Sequence, residues 1–103
     1  MRLRYKTPGG EEKVIELTEK AITIGRNPEV DVAIDDKMIS RIHCGISFWD
    51  NAYFLRDFNS NNGTFLNDLK LMPFVDYVIS HGDHLILGTL HLAIFFGGVD
   101  DAD

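Results

Sequence analysis

Cysteine is almost missing from this chain: Cys44 stands alone, so no internal disulfide can form and no thiol pair marks a metal knuckle. Stability must come from packing. Long apolar runs are missing too. Runs such as Leu85-Ile86-Leu87 and Ala93 to Phe96 fall well short of the roughly 20 residues that span a bilayer as a helix. The opening MRLRYKTPGG holds no apolar run behind its basic residues, so no secretory signal is read there. A cytoplasmic location, or a nuclear one in a eukaryote, is the expectation. Positive charge is scarce: 10 basic against 16 acidic side chains give a formal net charge of -6. Arg2, Arg4, Lys6, Lys13 and Lys20 are scattered among Glu11, Glu12, Glu16 and Glu19, so no basic stripe exists, and neither nucleic acid nor an anionic membrane is expected as a partner.

What is present is a core. At 103 residues the chain is one domain, and its 45% apolar content, with seven Phe, one Trp and three Tyr, is that of a packed globule. Short alternating or β-branched runs recur every eight to twelve residues: RLRY, KVIEL, AITI, DVAI, CGISFW, YFLRD, GTFL, FVDYVI, HLIL and TLHLAIFF. Turn signals separate them, at Pro8-Gly9-Gly10, Asn27-Pro28, Asp35-Asp36, Asp50-Asn51, Asn62-Gly63, Asn67-Asp68 and Gly82-Asp83. Almost no window reads as a helix.

Period-two geometry puts Cys44, Ile46 and Phe48 on one face of their strand, toward the core, and Gly45, Ser47 and Trp49 on the other. Likewise Leu90, Leu92, Ile94 and Phe96 alternate with Thr89, His91, Ala93 and Phe95, one buried face against a mixed outer one. Ten or so such strands make an all-β sandwich or barrel. The domain is read as 1-97. The acidic ending, 98-103, loses periodicity and is read as a solvated tail or the start of a linker. A free-standing protein and a piece of a longer chain both fit these ends.

One stretch is richer in hydrogen-bonding groups than a chain reversal requires. DFNSNNGTF, residues 57 to 65, carries Asp57, Asn59, Ser60, Asn61, Asn62 and Thr64, although Asn62-Gly63 alone could build a tight turn. It joins two other polar loops, IGRNPEVDVAI at 24 to 34 and MISRIHCGI at 38 to 46. The order Gly25-Arg26, Ser40-Arg41-Ile42-His43, Asp57-x-x-Ser60-x-Asn62-Gly63-Thr64, Asn67, Gly82-Asp83 and Leu87-Gly88 resembles the forkhead-associated (FHA) domain over nearly the whole chain.

That resemblance implies an eleven-stranded antiparallel β-sandwich whose loops at one end bind phosphothreonine in a partner protein. It places Arg26, Ser40, Arg41, Asn61 and Asn62 at the family's contact positions. His43 matches a histidine that braces the loop from behind; Gly25, Asp57, Ser60, Gly63 and Thr64 support the loops. No cofactor, metal or catalytic residue is implied. Phosphothreonine, with about -1.5 to -2 charge and three acceptor oxygens, needs donors and positive charge. Arg26 offers a planar fork, Ser40 a hydroxyl, Arg41 a second cation, and Asn62 an amide able to bond the ligand's backbone. Glu29, Asp31, Asp35 and Asp36 lie close in sequence to these loops, so a partner with basic residues flanking its phosphothreonine is expected.

Other readings weigh less. Ser40, His43 and Asp57 are the residue types of a hydrolase triad, but Ser and His three apart near a strand start point different ways, and no G-x-S-x-G elbow is present. His81, His84 and His91 are zinc-ligand types, yet they read as loop and outward strand positions, hence solvated imidazoles. The serious competitor is a forkhead-associated fold that docks partners through a sheet face, independent of phosphorylation.

Overall fold

A computed structural model describes residues 1–95. Eleven strands alternate with short loops: β1 (Arg2–Lys6), β2 (Glu12–Glu16), β3 (Ile22–Gly25), β4 (Val32–Ala33), β5 (Cys44–Trp49), β6 (Ala52–Asp57), β7 (Thr64–Leu66), β8 (Leu69–Lys70), β9 (Tyr77–Ile79), β10 (His84–Leu87) and β11 (Leu90–Phe95). They form a six-stranded sheet, β2-β1-β11-β10-β7-β8, and a five-stranded sheet, β4-β3-β5-β6-β9. The fold is thus the all-β, eleven-stranded sandwich. Its pairs are antiparallel except β3 with β4, which run parallel because the chain from 26 to 31 carries β4 back alongside β3.

Period two decides what lies between the sheets. Leu3 and Tyr5 of β1, Leu85 and Leu87 of β10, and Leu92 and Ile94 of β11 meet Ile24 of β3, Cys44 and Ile46 of β5, and Leu55 of β6 in one buried cluster. Each fully buried Leu or Ile contributes about 1.5–3 kcal/mol of transfer free energy, against the entropy of ordering it. The thiol of Cys44 belongs to this core: burial, with Asp57 nearby, pushes its pKa up, so it stays a neutral apolar group.

Two turn signals are realised as two-residue hairpins. Asp50-Asn51 joins β5 to β6 and Asn67-Asp68 joins β7 to β8, and all four residues take the positive φ that such turns require. Asn62-Gly63 differs: only Gly63 has positive φ, and within the loop the other left-handed residue is Asn59, so the segment is a broader loop than a two-residue turn.

Elsewhere the expected runs shrink or shift. Of FVDYVI only Tyr77–Ile79 is strand; Phe74 sits at φ 63, which breaks extension. DVAI contributes only Val32–Ala33, and β8 lies outside every expected run, being two exposed residues held by pairing with β7. Phe95, expected on the mixed outer face, is buried, and the Arg4 guanidinium lies over its ring at 4.8 Å from the centroid. Phe96 and the tail at 98–103 lie outside the described residues.

Candidate functional site

The end of strand β3 sets the site. Gly25 is buried, and a Cβ there would stand 2.1 Å from the carbonyl oxygen of Arg41, so only glycine lets the two loops come together. They close as a small ladder: Arg26 N–H donates to the Ser40 carbonyl at 2.9 Å, Asn27 N–H to the Arg41 carbonyl at 3.1 Å, and His43 N–H to the Ile24 carbonyl at 2.9 Å. Residues more than a dozen positions apart thereby share one rim.

The third loop is tied on from its own side. Asp57, 2% exposed, accepts from the hydroxyl of Ser60 at 2.6 Å, the amide of Ser60 at 3.1 Å and the hydroxyl of Thr64 at 2.7 Å. A carboxylate taken out of water needs several donors, and these three supply them. The loop then crosses to the second one: Asn61 N–H donates to Ser40 Oγ at 2.9 Å, and Asn62 Nδ2 donates to the Met38 carbonyl at 2.8 Å.

Behind the rim lies His43, fully buried. The amide of Ser40 donates to its Nδ1 at 3.0 Å, so Nδ1 must be the acceptor, and Nε2 carries the proton toward the Gly63 carbonyl, also at 3.0 Å. Burial pulls the imidazole pKa below its ordinary value, opposed by the Gly63 contact and by Asp57. Both ring nitrogens are thus spent on backbone. No triad can form, since His43 has no nitrogen left for the Ser40 hydroxyl and Asp57 is bound to Ser60 and Thr64.

Between the loops is an open hollow of about 320 Å³, lined by Arg26, Lys37, Met38, Ile39, Ser40, Arg41, Asn59, Asn61 and Asn62. All five expected contact residues, Arg26, Ser40, Arg41, Asn61 and Asn62, line it. The six expected supports, Gly25, His43, Asp57, Ser60, Gly63 and Thr64, stand beneath. Four lining residues were not foreseen: Lys37, Met38, Ile39 and Asn59. The signal for Lys37 was its place three residues before Ser40.

Donor chemistry singles this hollow out. Arg26 Nε donates to the Ile39 carbonyl at 3.1 Å, which fixes the guanidinium while leaving its terminal nitrogens for a ligand. With Lys37 and Arg41 it makes three cations on a chain of net charge -6. A hollow of about 280 Å³ on the outer face of the five-stranded sheet holds one cation, Arg56, which is bound to Asp76 at 2.7 Å. A third, of about 350 Å³, gathers Glu11 and Asp35 and no cation. Of these three hollows among the described residues, the loop hollow is the one suited to an anion.

The expected solvated imidazoles are partly otherwise: His84 and His91 are exposed but bond each other, Nε2 to Nδ1, at 2.7 Å. Among the described residues, no three or more His, Cys, Asp or Glu side chains gather as a metal site, and no helix is long and apolar enough to cross a membrane.

Comparison with known proteins agrees with this geometry. The FHA domain model matches residues 22–88, from β3 to the end of β10. The glycogen accumulation regulator GarA of Mycobacterium tuberculosis is 34% identical over 89 residues, covering 82% of this chain and 53% of that protein. The protein FraH of a Nostoc species is 34% identical over 70 residues, 66% of this chain and 24% of that one. The chain therefore spans about half or less of the length of these curated relatives.

Among solved structures, the N-terminal FHA domain of Rad53p from S. cerevisiae, in complex with a phosphothreonine peptide, superposes with a TM-score of 0.78 at 26% identity, covering 94% of each chain. The FHA domain of CT664 from Chlamydia trachomatis gives 0.81 at 24% identity, covering 93% of this chain and 98% of the other. With the family pattern matched across the loops that build the rim, and the same sandwich beneath them, this chain belongs to the FHA domain family.

Proposed function

We propose that the protein is a phosphothreonine-binding module that recruits phosphorylated partner proteins in Ser/Thr-kinase signalling. One observation carries the reading: Arg26, Lys37 and Arg41 share a hollow with the Ser40 hydroxyl and the Asn61 and Asn62 amides. Family membership and the phosphothreonine peptide held by the yeast neighbour support it.

The hydrogen bonds already made support a role for each remaining group. Ser40 Oγ accepts from Asn61, so its own proton is free to go to a phosphate oxygen. Asn62 uses Nδ2 on Met38, so its Oδ1 is the acceptor for a peptide N–H. Arg26 presents its terminal nitrogens, Arg41 and Lys37 add charge, and Asn61 borders the phosphate. Three or four charge-assisted bonds at about 1.5–3 kcal/mol each, less the cost of ordering a peptide, give affinity on the order of micromolar. Burial of the threonine methyl favours phosphothreonine over phosphoserine by about 0.8 kcal/mol, roughly fourfold.

The flanks of the ligand follow from the acidic side chains. Asp31 accepts from the Thr23 amide and Asp36 from the Met38 amide, so both are committed to the loops, whereas Glu29 and Asp35 are exposed and carry the expected preference for basic flanking residues. The module would occupy 1–97, with 98–103 as tail or linker.

Calorimetry with an oriented phosphothreonine library tests this. Micromolar binding that phosphatase treatment removes is the expected result; equal binding of the unphosphorylated peptide would reject it. That second outcome would favour the scaffold reading, for which the observation is an exposed outer sheet face: Trp49 stacks on Phe54 at 4.3 Å and remains 50% exposed, beside Val78 at 55%.

A further inference from the structure

On the outer face of the six-stranded sheet, away from the rim loops, two imidazoles stand together. His84 on β10 pairs in register with Ala93, and His91 is two residues from Ala93 on β11, so both histidines share one face. Their ring centroids are 4.9 Å apart with planes at 55°, and His84 Nε2 lies 2.7 Å from His91 Nδ1. Neighbouring antiparallel strands hold this spacing without any loop.

Imidazole binds divalent transition ions through a nitrogen lone pair at about 2.0–2.1 Å. Two such bonds at a right angle set the nitrogens about 2.9 Å apart, and at a tetrahedral angle about 3.3–3.4 Å. With 4.9 Å between centroids and 2.7 Å between nitrogens the rings face each other nearly head-on, so both must turn their lone pairs toward a common point and part by about 0.2 Å for a tetragonal ion, or by about 0.6 Å for a tetrahedral one. We propose that His84 and His91 form a bidentate site for a tetragonal divalent transition ion, copper(II) before the others.

Chelation replaces the existing hydrogen bond. That bond requires a proton on one of the two facing nitrogens, while chelation requires both as acceptors, with His84 protonated at Nδ1 and His91 at Nε2. Both side chains are exposed, so those nitrogens can keep their protons in contact with solvent. Arg4, paired in register with Ala93 on this face, lies with its guanidinium over the Phe95 ring. An ion held here would staple β10 to β11.

Copper(II) titrated into the full chain near neutral pH, followed by calorimetry and electron paramagnetic resonance, decides the matter. The expected result is one ion with two equatorial nitrogens, and affinity reduced by about tenfold or more in His84→Ala and in His91→Ala, because each removes one arm of a chelate. His81→Ala should bind as the parent does. Copper should also raise the melting temperature of the parent and not of the two variants, which distinguishes a filled site from a misfolded variant. A one-nitrogen spectrum, binding that survives both substitutions, or binding lost with His81 would overturn the proposal.

Discussion

The amide of Ser40 points at Nδ1 of His43, 3.0 Å away, so the residue that offers its hydroxyl to the rim also fixes the tautomer of the imidazole behind it. A protonated ring would turn that acceptor into a donor facing a donor. The unfolded chain takes up a proton at His43 near 6.5, the folded chain only at lower pH, so in that window the unfolded state holds more protons and stability falls with acidification. Melting curves between about pH 7.5 and 5.5 should show the parent losing stability. His43→Ala should melt lower at the upper pH, by about 2 to 4 kcal/mol for two buried bonds and a cavity, with the gap narrowing as pH falls.

Arg26→Ala should leave the fold intact, since the side chain is exposed, and weaken phosphopeptide binding by about 2 to 4 kcal/mol, roughly 30- to 1,000-fold. Calorimetry beside a melting curve checks both halves. Unchanged affinity would remove Arg26 from the site. Arg26→Lys should recover little, because a lysine cannot both bond the Ile39 carbonyl and present a fork.

Ser40→Ala removes the proposed donor to the ligand and the acceptor for the Asn61 amide together. Affinity should drop by about 1 to 2 kcal/mol, with a small fall in melting temperature. Backbone amide shifts at Asn61 in the free variant, read by NMR, would separate the loop effect from the ligand effect.

Gly25→Ala should damage the fold and the rim together. A methyl carbon 2.1 Å from the Arg41 carbonyl forces the first two loops apart, at a cost of about 3 kcal/mol. Chemical denaturation measures it, and binding should weaken in the same protein because Arg41 moves.

The legible part of this molecule was its alternation and its punctuation. Leu92 with Ile94 and Cys44 with Ile46 are buried as period two demands, and Asp50-Asn51 and Asn67-Asp68 turn as their residue types demand. All five rim residues could be named in advance because their spacing follows a family pattern. What escaped depends on partners distant in sequence. β8 is held by its pairing with Phe65 and Leu66, Phe95 is buried with the Arg4 guanidinium over its ring, and Lys37 lines the hollow beside Ser40. None of these leaves a local period to read.

The carbonyl of Gly63 receives the His43 ring on one side and the Gly88 amide on the other, and a Cβ on Gly88 would meet the Met38 carbonyl, the same oxygen that holds Asn62. The turn after β10 is therefore a keystone under the recognition loops, though it offers no side chain to a ligand. Anyone transplanting these loops to another sandwich would have to carry Gly88 along with them, or the transplanted surface would arrive with the right chemistry and nothing to hold its shape.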